Sequence, residues 1–134
     1  MKKIGILKLL FVAMVFIVSC SSNDKLMEMA IYHTPQEVTA NYAISCVTFD
    51  GEFESIIQSK KISDQETLQQ FDNLIDGLSN GKETDVEDIR IKVLLRYFDR
   101  TDTLCFGEFF GVFLNGNEMT DNPELLLTIK EMIY

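Results

Sequence analysis

The residues best suited to chemistry are few. There are three cysteines, Cys20, Cys46 and Cys105, and one histidine, His33. No C-x-x-C spacing occurs, so neither a redox pair nor a zinc site has support. A lone histidine is more often a surface residue than a base or ligand, and without His33 no Ser/His/Asp arrangement can be built. Glu83, Asp85, Glu87 and Asp88 form an acidic cluster that could in principle hold Ca²⁺. It lacks the Asp-x-Asp-x-Asp-Gly order of calcium loops, and a solvated charged loop is the better reading. Among 21 acids some carboxylates must fall near one another, and Asp99 and Asp102 read as turn residues. No G-x-x-x-x-G-K-[ST] or G-x-G-x-x-G run is present to cradle a phosphate. No catalytic, cofactor-binding or metal-binding residue is assigned, and the expectation is a protein that is not an enzyme.

The third cysteine has a different context. Lys2, Lys3 and Lys8 precede an uncharged apolar run of ten residues, Leu9–Val18. That fits the apolar core of an export signal, and it is half the ~20 residues that a transmembrane helix needs. The run ends in Ile17-Val18-Ser19-Cys20, which resembles the lipobox of bacterial lipoproteins. The resemblance covers residues 1–20 only. It implies that residues 1–19 are removed, that Cys20 becomes the lipidated first residue, and that the partner is a membrane reached through that lipid. Ser21 in place of Asp resembles lipoproteins sent to the outer membrane of a Gram-negative bacterium. Two or three acyl chains on one cysteine meet the two-signal requirement for stable anchoring.

Cleavage before Cys20 would leave 115 residues, one domain's worth. The nine remaining Lys+Arg against 21 Asp+Glu give a formal charge of −12. That argues against nucleic acid, which needs a basic patch, and against electrostatic docking on anionic lipid. An exported compartment permits a disulfide between Cys46 and Cys105. Such a bridge would close a loop of about 60 residues and stabilise by roughly 4 kcal/mol on the chain-entropy model. The alternative is two buried free thiols packed as small hydrophobes.

The elements around these residues follow from periodicity. Residues 20–33 are expected to be the lipidated N-terminus and tether, and 34–134 a single domain. Thr34-Pro35-Gln36-Glu37 reads as a short helix start or a turn. Asp50-Gly51 between Tyr42–Phe49 and Phe53–Ser59 predicts a hairpin with strands over 42–49 and 53–60. A capping box at Ser63–Glu66 and the Leu68/Phe71/Leu74/Ile75/Leu78 stripe predict a helix over 64–78. Ile91, Val93, Leu95 and Tyr97 alternate as a half-buried strand. Thr103–Leu114 reads as one central strand in which Gly107 and Gly111 mark a bulge or a close approach. Asn115-Gly116-Asn117 is a tight turn, and Asp121–Glu124 opens a last helix.

The expected fold is α+β: a small antiparallel sheet with helices packed on one face, in the order β-β-α-β-β-α. What covers the second face is the open question, sharpened by Phe106, Phe109, Phe110 and Phe113. Either the rings fill the core, or part of that face receives a partner. The functional expectation is a lipid-anchored cell-envelope protein with a non-catalytic domain that binds an envelope protein or peptide. A small apolar or envelope-derived ligand is the alternative.

Overall fold

The computed structural model describes residues 24–82 and 87–134. Cys20 and the signal segment lie outside them, as do Glu83 and Asp85. The chain forms an α+β fold around one open, six-stranded antiparallel sheet of order β2-β1-β3-β4-β5-β6. The strands are β1 (Glu28–His33), β2 (Gln58–Ile62), β3 (Ile89–Arg96), β4 (Thr101–Gly107), β5 (Val112–Leu114) and β6 (Asn117–Met119). The helices are α1 (Phe49–Glu52), α2 (Gln65–Asp76) and α3 (Pro123–Ile133). The observed order is therefore β-α-β-α-β-β-β-β-α, not the expected β-β-α-β-β-α.

One face of the sheet is covered by α2 and α3. Met29, Ile31, Ile91, Val93, Leu95, Leu104, Phe106 and Val112 project towards Leu68, Phe71, Ile75, Leu125 and Ile129 in a single buried cluster. Period-2 alternation on the strands meets a 3.6-residue stripe on each helix, as a two-layer core requires. Both helices are capped by side chains. Asp64 accepts from the Thr67 N–H and Asn122 accepts from the Leu125 N–H. The cap of α2 is thus Asp64, one residue beyond the expected Ser63. Pro123 occupies the start of α3, where its missing N–H costs nothing.

The second face is covered by residues 34–57. Ile44, Phe49 and Phe53 pack against Ile89, Cys105 and Phe113. A shift in register between Ile89 and Ile91 marks a bulge. It turns Ile89 away from the helical face and into this second cluster. The expectation of helices on one face is therefore corrected by α1, which lies on the other.

Three further expectations are corrected. Glu28–His33, assigned to the tether, is an interior strand paired with both β2 and β3. Leu26 is already buried, so the fold begins before residue 34. The 42–49/53–60 hairpin does not form. Ser45 and Thr48 exchange backbone-to-hydroxyl hydrogen bonds of 3.1 and 3.2 Å that start a helical turn through Asp50-Gly51. That turn puts Phe49 and Phe53 on one face, with their rings 5.5 Å apart. Residues 34–41 form a turn without a helix. Thr103–Leu114 is two antiparallel strands, because the chain reverses between Gly107 and Gly111. A Cβ at Gly107 would collide with the Phe110 carbonyl, and Gly111 has φ +91°, so both glycines are required by this reversal.

Candidate functional site at the far end of the sheet

The sheet has two ends of different character. At the near end the described chain begins, and Glu28 of β1 lies beside Arg96 of β3. The β3–β4 turn, Tyr97–Arg100, closes this end. At the far end β1 finishes at His33, β3 begins, and the tight β4–β5 reversal carries Glu108, Phe109 and Phe110. The eight residues of β3 separate the two ends by roughly 25 Å at ~3.4 Å per residue.

Phe109 and Phe110 are 77% and 60% exposed. Behind them is a cavity of about 70 Å³, walled by Val112, Pro123 and Leu126 and closed below by Asp121. Asp121 accepts the Gly111 N–H at 2.8 Å, which fixes the loop. The four expected core phenylalanines thus divide. Phe106 fills the helical core and Phe113 the second core, while Phe109 and Phe110 face solvent.

Next to the phenylalanines lies a second cavity of about 170 Å³, bordered by Thr34, Gln36, Val38, Arg90, Glu108, Phe109, Lys130 and Tyr134. Arg90 is buried over the Phe53 ring, 5.2 Å from its centroid. Its Nη2 pairs with Asp88 at 2.7 Å, and its Nη1 donates to the Ile89 carbonyl at 3.2 Å. Its Nε is 3.7 Å from Glu108 and makes no hydrogen bond among the described residues. Lys130 donates to the Glu108 carbonyl and lies 5.8 Å from the Phe109 ring centroid. Tyr134 donates to the Thr34 carbonyl at 2.7 Å. Burial raises the Tyr134 phenol above its ordinary pKa.

The residues singled out from the sequence fall as follows. Cys46 and Cys105 are joined in a disulfide with their Cα atoms 5.9 Å apart, tying the 34–57 cover to β4. His33 is buried, not exposed. Its ring meets Tyr134 edge-on with centroids 5.3 Å apart, and Nδ1 lies 2.9 Å from the Thr34 carbonyl. Asp88 serves Arg90, and Asp102 accepts from Arg100 and Asn115 in the β4–β5 region. Among the described residues no group of three or more His, Cys, Asp or Glu could hold a metal ion. Nor is any described helix long and apolar enough to cross a membrane.

Arg90, Lys130 and Tyr134 were not singled out. Alternation puts Arg90 on the face opposite Ile91, and it is Phe53 of the 34–57 cover, unforeseen on that face, that stacks against it there. The glycine-framed Gly107-Glu108-Phe109-Phe110-Gly111 was the one readable sign of an exposed aromatic loop.

The class defined by this architecture is a small α+β domain on an open antiparallel sheet. No family model, curated protein or solved structure matches the chain.

Proposed function

We infer that this is a lipid-anchored cell-envelope protein, held in the outer membrane of a Gram-negative bacterium through Cys20. Its domain, without catalysis, binds a protein or peptide partner at the far end of the sheet. The observation that carries the reading is the exposed Phe109–Phe110 pair, set on a rigid glycine-framed loop at the end opposite the N-terminal segment. Two adjacent, highly exposed aromatic rings beside an apolar notch have the composition of an interface centre. An anchor at one end leaves the other end turned away from the bilayer and open to a partner.

The alternative, a small apolar or envelope-derived ligand, has less behind it. The two far-end cavities, about 70 and 170 Å³, are below the ~300 Å³ at which pockets for drug-sized ligands begin. A third depression of about 500 Å³, by Asn80, Lys82, Met119 and Thr120, is a wide hollow open to solvent.

The test is site-specific photocrosslinking in native envelopes. A benzophenone side chain at position 110 is expected to give a discrete protein adduct. The same group at Val47, which is 89% exposed on the disulfide-tied cover, is expected to give none. No adduct at 110, or the same adducts from both positions, would remove the case for a partner at this end.

A further inference from the structure

We propose that the β3–β4 turn rests on the bilayer surface and that Phe98, with Met27 beside it, enters the headgroup layer. This rests on the lipid anchor at Cys20 and adds the orientation of the domain. Four peptide steps separate Cys20 from Asp24. Fully extended they span at most ~14 Å. The headgroup layer itself takes up about 5–7 Å on each side of the hydrocarbon core. Asp24 therefore cannot stand more than about 10 Å above the headgroups.

The chain at Asp24 is also fixed laterally. Arg100 Nη1 lies 2.7 Å from the Asp24 carboxylate, and the Met27 N–H donates to the Arg96 carbonyl at 2.9 Å. These contacts bind the start of the domain to the β3–β4 turn, so the turn shares its height above the membrane. The tip of that turn is Phe98, 75% exposed, and Met27 is 50% exposed. An aromatic ring with no core to enter gains by burial among headgroups, the layer where membrane proteins concentrate aromatic side chains. Electrostatics does not supply the contact. Arg100 is surrounded by Asp24, Asp99 and Asp102, so this end carries no excess of positive charge for anionic lipid. The matching surface is zwitterionic, and the contact is apolar.

The chain contains no tryptophan, so Phe98→Trp and Phe109→Trp each install a single indole. Full-length lipidated protein is reconstituted in phosphatidylcholine vesicles with and without brominated acyl chains, and flotation is recorded alongside fluorescence. The expected result is a blue-shifted Phe98→Trp emission that the bromines quench. The Phe109→Trp emission should be unshifted and unquenched. Protein that floats with the vesicles while its Phe98→Trp indole is unquenched, or quenched no more than that of Phe109→Trp, overturns the orientation but leaves the anchor standing. Protein that does not float overturns the anchor and the orientation with it.

Discussion

At the scale of single residues, four phenylalanines within eight positions have opposite duties. Phe106 is fully buried between the sheet and α3. Truncating a buried phenylalanine removes its transfer free energy and leaves a cavity, together about 3–5 kcal/mol. Phe106→Ala is expected to lower stability by that amount in urea denaturation. Phe109→Ala and Phe110→Ala should stay within about 0.5 kcal/mol of the parent, as exposed substitutions do, and Phe109→Ala should abolish the position-110 crosslink. Destabilisation by Phe109→Ala as large as that by Phe106→Ala would make the loop a structural plug and not a contact surface. Nothing in the residue types distinguishes these rings. What separates them is Gly107 and Gly111, whose reversal was readable only as an irregularity, because a bulge and a chain reversal need the same glycine.

At the scale of elements, α2, α3 and β3 were legible because their signals are local. Asp64 and Asn122 cap, the apolar stripes have helical spacing, and Ile91–Tyr97 alternates. The 34–57 cover was not legible, because its conformation is decided by distant partners. Asp50-Gly51 signals a hairpin, but pairing Phe49 with Phe53 against Ile89 and Phe113 buries more than a free hairpin would. β1 was missed because Glu28–His33 shows no clear period-2 alternation of polar and apolar residues. The disulfide now fixes that cover across 59 residues of sequence. Opening it by reduction, or by Cys46→Ala with Cys105→Ala, is expected to cost about 4 kcal/mol. Hydrogen exchange should quicken over 44–57 before the sheet loosens. Unchanged exchange there would mean that the Phe49/Phe53 packing holds the cover unaided.

Two acids on α2 should respond to pH in opposite directions. Hydrogen bonds from the Thr67 hydroxyl and N–H hold Asp64 below its ordinary pKa. Its folded value lies under its unfolded one near ~3.9. Its stabilisation is therefore present above the unfolded value and is lost as pH falls through the folded one. Asp72 is raised, because burial outweighs the hydrogen bond from Tyr97. Its stabilisation is present at low pH and is lost as pH rises through the raised folded value. Asp64→Ala should thus be less stable than the parent near neutrality and converge with it in acid. Asp72→Asn, which keeps an acceptor for Tyr97 without the charge, should match or exceed the parent near neutrality. Urea midpoints across the acid range would separate the two, and parallel curves would refute the assignment.

At the scale of the molecule, an acidic domain cannot hold itself to a bilayer by charge. Without residues 1–19 the chain has a formal charge of −12, which repels anionic lipid within a Debye length of about 8 Å. Phe98 and Met27 can orient the domain, but two exposed side chains cannot retain it. On the proposed anchor the free energy of attachment comes from acyl chains, at ~0.8 kcal/mol per buried CH₂, and more than one chain is needed for lasting attachment. The proposed location and attachment rest on twenty residues at the N-terminus, whereas a partner leaves no such spacing to read. Cys20→Ser is expected to block lipidation and normal processing, and to shift the protein from the membrane to the soluble fraction. The folded domain, with its Cys46–Cys105 bridge, should be unchanged. Persistence in alkali-washed membranes would show that the Leu9–Val18 run or another contact holds the protein. The lipobox reading and the Phe98 orientation would then both fail, while the far-end contact at Phe109 and Phe110 would still be open to its own crosslinking test.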